Sequence, residues 1–166
     1  MHEKNSHCSY CGHAFAVNQP WPRRCAGCDN TSFVNPLPVA VLLLPVDDGI
    51  VVIRRGIPPQ EGWLALPGGF IDFGETWQAG AARELYEETY IRIPPEDVAL
   101  YRVASTPHNQ LLIFGLAKPR TEAELPPFVP TNETTERMIL RGPRELAFLL
   151  HTQALEDYFA GRTSAR

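Results

Sequence analysis

The chain has 166 residues, of which 44% are hydrophobic and 20% are charged. This length suits one domain of ordinary size with a small module attached, and the composition suits a packed core. The net charge of −4 argues against a broad nucleic-acid-binding surface. No apolar run approaches about 18 residues and the polar start does not resemble a signal peptide, so we expect a cytoplasmic protein without a membrane partner.

Two CxxC pairs lie near the N-terminus, and their spacing predicts a structural Zn²⁺ site rather than two disulfides. A closed set of four thiolates leaves no position for substrate, so the expected role is folding stability in a segment too short for a large core. The module resembles a zinc ribbon, and Trp21 beside Arg23 and Arg24 leaves open a contact with nucleic acid or protein. The predicted zinc ligands are Cys8, Cys11, Cys25 and Cys28.

Pro36 and Pro38 interrupt regular structure and separate the expected zinc ribbon, residues 1–34, from a larger domain, residues 35–166. Apolar, β-favouring runs alternate with turn residues, and a helical segment lies among them, which predicts an α/β sandwich. Strands are predicted over 39–44, 50–55, 63–66, 98–104, 111–117 and 137–140, and helices over 77–89, 144–150 and 153–159.

The stretch from Gly68 to Ile91 carries the strongest functional pattern of the sequence. With Thr76 as N-cap, a helix would place Glu84, Glu87 and Glu88 on one face. Three carboxylates at that spacing repel each other, so we expect a divalent cation, Mg²⁺ or Mn²⁺, to offset their charge. The alternative for a Glu-Glu pair alone is a solvated acidic helix face.

The same stretch resembles the Nudix box, because Gly69, Glu75, the Arg83-Glu84 pair and the Glu87-Glu88 pair follow at the spacing of that motif. The resemblance implies a Nudix fold, an α/β/α sandwich with a mixed sheet, and a catalytic metal that activates water. It implies that the three glutamates hold the metal, that Arg83 pairs with Glu75, and that Gly68 and Gly69 orient the metal site. Tyr90 departs from the motif, which has Gly at this position.

The resemblance implies a pyrophosphohydrolase that cleaves a nucleoside diphosphate linked to another moiety. The layout of a zinc ribbon before a Nudix domain resembles two groups of the family, the NADH pyrophosphatases and the plant-type FAD and ADP-ribose pyrophosphatases. A small nucleotide is therefore the expected substrate. The general base is either one of the helix glutamates or a late-loop carboxylate, Glu133 or Glu136. Two alternatives stay open: a nucleotide-sensing regulator whose ribbon binds nucleic acid or protein, and an enzyme acting on nucleoside triphosphates or RNA caps. A homodimer is compatible with this sequence.

Overall fold

The computed structural model describes residues 4–161, and the chain divides between Pro36 and Leu37 into two compact units. In the first unit, strand β1 (Arg23–Arg24) pairs antiparallel with strand β2 (Thr31–Ser32). This short ribbon frames the turn that carries the second CxxC pair.

Two four-stranded sheets form the second unit. The first sheet has the strand order β7-β3-β9-β8 and is mixed, because β3 runs parallel to β9 while the other pairs are antiparallel. In the second sheet, β5 pairs antiparallel with β4, β6 and β10. The strands are β3 (Leu37–Leu43), β4 (Pro45–Val46), β5 (Gly49–Arg55), β6 (Leu64–Ala65), β7 (Gly68–Phe70), β8 (Val98–Ser105), β9 (Gln110–Ala117) and β10 (Thr134–Leu140).

Strand β3 shows how the sheets separate two apolar cores, because alternate side chains of a strand point to opposite faces. Val41 and Leu43 belong to one core cluster, which includes Leu155 of the C-terminal helix. Ala40 and Leu42 belong to the other, which includes Leu85 of the glutamate-bearing helix. The result is an α/β/α sandwich with a mixed sheet, so the predicted fold class is confirmed.

The two α-helices of the described residues are α1 (Trp77–Thr89) and α2 (Leu149–Phe159). The bounds of α1 agree with the prediction. The predicted helix over residues 144–150 is wrong in most of its length, since 144–148 are not helical and Ala147 donates its N–H to the Leu64 carbonyl at 2.7 Å. Leu146 is buried in the core at this point. Neither helix within residues 4–161 has the length and apolarity needed to cross a membrane.

Candidate active site

Helix α1 begins where the sequence predicts it, because the Thr76 hydroxyl accepts a hydrogen bond from the Ala79 N–H at 3.2 Å. Leu85 lies on the apolar side of the helix and is fully buried. Arg83 and Glu87 therefore lie on the more exposed side of the helix, whereas Glu84 is partly buried and Glu88 is buried.

Arg83 connects the helix to the loop that precedes it. Its guanidinium contacts both oxygens of Glu75, with Nη2 at 2.8 Å from Oε2 and Nε at 3.3 Å from Oε1. Nη2 also donates to the Phe70 carbonyl at 2.9 Å. Hydrogen bonding to Arg83 holds the pKa of Glu75 below its usual range. The predicted Arg83–Glu75 pair is therefore present in the structure, although its catalytic importance stays a prediction.

The same guanidinium contacts two of the predicted metal ligands. Its Nη1 lies 2.8 Å from Glu84 Oε1 and 3.2 Å from Glu87 Oε2. One positive charge thus lies within hydrogen-bond distance of three carboxylates, those of Glu75, Glu84 and Glu87, and 4.0 Å from that of Asp72. The group retains an excess of negative charge, which a divalent cation would offset.

Gly68 and Gly69 allow the backbone to approach the helix carboxylates closely. The Gly68 N–H donates to Glu88 Oε2 at 2.9 Å. A side chain at Gly69 would collide with the Glu84 carboxylate, and one at Gly68 would collide with the backbone of Ala40. Glycine at position 69 thus leaves room for the Glu84 carboxylate, and glycine at position 68 lets the two backbones approach.

Glu84 and Glu88 are buried more deeply than Glu87. Burial raises the pKa of Glu88 to about 8, and the charges of Glu84 and Glu133 act in the same direction. Burial also raises the pKa of Glu84, with the charges of Glu87 and Glu133 adding to the effect and Arg83 opposing it. The site therefore contains carboxylates that repel each other in a poorly hydrated position, and a bound cation would relieve this repulsion.

These observations fit a hard divalent cation, because carboxylate oxygens are the donors that Mg²⁺ and Mn²⁺ prefer. The three predicted ligands do not point equally toward one place. Glu87 is 54% exposed in its side chain and points toward Arg83, whereas Glu84 is 16% exposed. Within residues 4–161, no group of three carboxylates brings its oxygens together as closely as the cysteine sulfurs come. Because Glu84 also contacts Arg83, both Glu84 and Glu87 would share their carboxylates between this guanidinium and a cation.

The two late-loop carboxylates have different surroundings. The charge of Glu133 acts on both Glu84 and Glu88, so this residue lies near the acidic face of α1. Glu136 instead forms an ion pair with Arg54 on strand β5, with 2.7 Å between Nε and Oε2. The structure thus favours Glu133 as the late-loop base, and the role itself stays a prediction.

Tyr90 ends helix α1 in the left-handed conformation that the box glycine would adopt, with φ of 62° and ψ of 5°. Its N–H donates to the Tyr86 carbonyl at 2.8 Å, and its ring packs on the rings of Tyr86 and Phe128. Arg137 ties the same end of the helix to a loop, since it donates to the carbonyls of Thr89 and Pro126 at 2.8 and 2.7 Å. The helix ends at the expected residue despite the missing glycine.

The four cysteines form a cluster in the first unit. All four Sγ atoms lie within 4.8 Å of one another, with 3.7 Å between Cys8 and Cys28 and 3.6 Å between Cys11 and Cys25. A tetrahedral zinc with Zn–S bonds of about 2.3 Å requires sulfurs roughly 3.8 Å apart. The four cysteines are free thiols rather than disulfides. The donor set therefore fits the predicted Zn²⁺.

Stacking on a nucleotide base requires an exposed aromatic ring, and the aromatic side chains of the second unit differ in exposure. Tyr101 is 4% exposed and belongs to the core, so it offers no platform. Trp63, Phe70 and Phe73 are exposed. Arg55, whose charge acts on Glu88, belongs to no motif of the sequence. The only sequence signal for it is its position at the end of a predicted strand, which many surface arginines share.

Comparison with known proteins identifies the family. Residues 35–156 match the family described as NUDIX domain. The chain belongs to the Nudix family. A crystal structure of a Nudix hydrolase from Nitrosomonas europaea is similar over 95% of this chain and 92% of that one, with 26% identity and a TM-score of 0.77. The predicted family is thereby confirmed over most of the chain.

Two further similarities concern named activities of other proteins. The NAD-capped RNA hydrolase NudC of Edwardsiella ictaluri is 30% identical over 108 residues, which are 64% of this chain and 42% of that protein. This Nudix chain thus matches less than half the length of that relative. A bifunctional NMN adenylyltransferase/ADP ribose pyrophosphatase of Francisella tularensis, crystallised with AMP and a manganese ion, is 25% identical with a TM-score of 0.56, over 64% of this chain and 34% of that one.

Proposed function

We propose that the chain hydrolyses the pyrophosphate bond of a nucleoside diphosphate linked to another moiety, such as FAD, ADP-ribose or NADH. The observation that carries the proposal is the close approach of the Glu84 and Glu88 carboxylates to the Gly68–Gly69 backbone, with the further negative charge of Glu133 acting on both. This group suits a divalent cation and, through it, a dense phosphate charge. The similarity to a manganese-bound ADP ribose pyrophosphatase supports the same substrate class.

A divalent ion held by Glu84, Glu87 and Glu88 would neutralise the diphosphate and lower the pKa of a bound water. Arg83 fixes the loop against the helix through Glu75, which keeps Gly68 and Gly69 in place. A carboxylate, Glu133 in this proposal, takes a proton from the attacking water. The water oxygen bonds to one phosphorus, the bridging P–O bond breaks, and two monophosphates leave.

A second candidate substrate is RNA with a dinucleotide cap. It is favoured by the similarity to enzymes named NAD-capped RNA hydrolases in Edwardsiella ictaluri and Klebsiella pneumoniae. The bond cleaved would be the same pyrophosphate, so the box chemistry does not distinguish the free from the RNA-linked nucleotide. The net charge of −4 favours the free nucleotide, because RNA affinity depends strongly on phosphate contacts with basic residues.

The test is a turnover panel with Mg²⁺ or Mn²⁺ and the substrates FAD, ADP-ribose, NADH, a nucleoside triphosphate and NAD-capped RNA, with products separated by chromatography. We expect AMP from one of the dinucleotides at the highest kcat/KM. Preferential cleavage of the capped RNA would instead establish the second candidate. Nucleotide binding without any turnover would contradict the enzyme proposal and favour a nucleotide-sensing regulator.

Glu87→Gln provides the matched control for this panel. The side chain is exposed, so the substitution should leave the fold intact and lower turnover by orders of magnitude, about 10²-fold or more. Turnover that is unchanged in Glu87→Gln, with an unchanged melting temperature, would exclude Glu87 as a metal ligand.

A further inference from the structure

Arg55 is the last residue of strand β5 and lies at the edge of the acidic site. Strand β10 pairs beside it, with Thr134 opposite Arg55, and the Gly56 N–H donates to the Glu133 carbonyl at 2.7 Å. The backbone thereby fixes Arg55 close to Glu133. The charge of Arg55 also acts on Glu88, which places the guanidinium near the buried carboxylate of helix α1.

The guanidinium of Arg55 is held by neutral groups. Its Nε donates to the Pro59 carbonyl at 2.8 Å, and Nη2 contacts the Ile57 carbonyl at 3.4 Å. Its Cζ lies 5.2 Å from the centre of the Phe148 ring. Phe148 in turn packs against the ring of His151, with 5.0 Å between the ring centres. These contacts orient the group, and the hydrogen bonds it makes within residues 4–161 use Nε and Nη2 rather than Nη1.

No carboxylate within residues 4–161 forms an ion pair with Arg55, although acidic side chains lie nearby. Its neighbour Arg54 faces the other side of β5 and pairs with Glu136 at 2.7 Å. An arginine that the protein positions without neutralising is suited to bind an anionic ligand. A structural arginine in the same site, Arg83, contacts three carboxylates instead.

We propose that Arg55 binds a phosphate oxygen of the substrate's diphosphate group, with Phe148 as its positioning residue. This inference rests on the proposed function for the identity of the ligand. The cation and Arg55 would act on the same diphosphate: the carboxylates hold the cation, while the guanidinium supplies directed hydrogen bonds to the phosphate. Arg55 is therefore a substrate-binding residue that the box motif does not include.

Three variants test this role in turnover. Arg55→Met removes the charge and should lower kcat/KM about 10- to 100-fold, the range for loss of one hydrogen bond between charged groups. Arg55→Lys keeps the charge without the planar fork and should recover part of that loss. Arg141→Gln is the control, because Arg141 follows the far end of β10, where it pairs with Asp48 and Glu122. Equal kcat/KM for Arg55→Met and Arg141→Gln would overturn the proposal.

A binding experiment separates this inference from the proposed hydrolysis. The probes are α,β-methylene-ADP, which carries a stable diphosphate, adenosine, which carries none, and Mn²⁺ alone. Arg55→Met should bind the diphosphate about 10-fold more weakly and adenosine equally well, while Mn²⁺ binds as tightly or more tightly because a repelling positive charge is gone. A merely structural role would weaken Mn²⁺ and diphosphate binding together, and that result would overturn the proposal.

The two experiments fail in different ways. If the wild-type chain turns over no substrate but loses α,β-methylene-ADP affinity in Arg55→Met, the proposed hydrolysis fails and the phosphate-binding role stands. If the wild-type chain is active and Arg55→Met keeps full diphosphate affinity, the hydrolysis stands and the role of Arg55 is refuted. Phe148→Leu adds a check on positioning: it should raise KM in the same direction as Arg55→Met, by a smaller factor.

Discussion

Glu133 and Glu136 are three residues apart in the sequence and have different chemical surroundings. The register of β10 against β5 shifts between Thr134 and Glu136, which changes the alternation of side chains at the start of the strand. Glu133 acts on the helix carboxylates, whereas Glu136 pairs with Arg54. Glu133 precedes β10 and Glu136 lies within it, so two carboxylates that are close in the sequence have different partners.

We predict that Glu133→Gln lowers kcat by about 10²-fold or more, as expected for loss of a general base. Glu136→Gln should leave kcat within a few-fold of wild type. It should lower the free energy of unfolding by at most about 1 kcal/mol, because its ion pair with Arg54 is partly exposed. Steady-state kinetics and urea unfolding of both variants provide the measurements. The reverse ranking in kcat would assign the base to Glu136.

At the scale of single elements, the C-terminus of α1 shows how a motif residue can be replaced. A non-glycine residue in the left-handed conformation costs about 1–2 kcal/mol. Tyr90 adopts that conformation, and its ring contacts with Tyr86 and Phe128 offset part of this cost. The aromatic contacts also attach the loop around Phe128 to the end of the metal-site helix.

Two substitutions of Tyr90 separate strain from packing. Tyr90→Ala keeps the left-handed strain and loses the ring, so we predict that it is the less stable variant. Tyr90→Gly loses the ring and removes the strain, and we predict that it is more stable than Tyr90→Ala by about 1 kcal/mol. Urea unfolding at fixed pH measures both values. Equal stability of the two variants would show that the helix end relaxes to another conformation.

The sequence was sufficient for the elements whose signal is local. The helix period placed Glu84, Glu87 and Glu88 on α1 with the correct N-cap, because spacing and capping depend on neighbouring residues. It could not place Arg55, since that position depends on pairing with β10 about 80 residues further along the chain. The segment 144–150 was predicted as helix because Pro143 suits the first position of a helix, but residues 144–148 are not helical, and Ala147 there bonds to the Leu64 carbonyl. Tertiary contacts decided both cases.

The cysteine unit allows a prediction at the scale of the element that it stabilises. Cys25 is 1% exposed and its Sγ accepts a hydrogen bond from the Gly27 N–H at 3.3 Å. We predict that Cys25→Ser loses bound zinc and unfolds the short β1–β2 ribbon, because three thiolates hold zinc less tightly than four. The control His13→Ala should keep one zinc per chain, since all four thiolates remain. Metal analysis and thermal melting report both effects.

One outcome for Cys25→Ser would contradict a purely structural role of the zinc site. Cys25→Ser with full zinc content and unchanged melting, but without turnover, would assign the cluster to catalysis. Retained turnover at low temperature with lost zinc would confirm that the closed thiolate site acts through stability.

At the scale of the whole molecule, the buried His151 links folding stability to pH. Its ring lies in the core between Phe114 and Phe148, and its Nδ1 has no hydrogen-bond partner within residues 4–161. Burial and, to a smaller extent, the charge of Arg55 lower the pKa of His151 to about 3. The folded protein therefore keeps this imidazole neutral at pH values where an unfolded chain protonates it.

The sign of the pH dependence follows from this difference. Between an unfolded-state pKa near 6.5 and the folded-state value of about 3, the unfolded chain binds one more proton at this position. Stability contributed by His151 is therefore complete above pH 6.5 and is lost as the pH falls through that window, by about 1.4 kcal/mol per pH unit. Glu88 has the opposite sign, because its pKa is raised to about 8 and its contribution decreases as the pH rises. The two effects partly cancel in the wild-type chain, which would conceal each of them in a single pH profile.

A comparison of variants isolates the histidine, since every other group titrates in both proteins. We predict that His151→Leu is at least as stable as wild type at pH 8, because it removes an unpartnered polar atom from the core. The difference in free energy of unfolding between His151→Leu and wild type should increase to about 2 kcal/mol at pH 5. At that pH the unfolded wild-type chain binds a proton at His151 that the folded protein excludes. Urea unfolding from pH 5 to pH 8 measures the difference, with the exposed His108→Gln as the control that should show no such slope. Parallel stability profiles for wild type and His151→Leu would contradict this prediction, because they would mean that the imidazole binds protons equally in the folded and unfolded states.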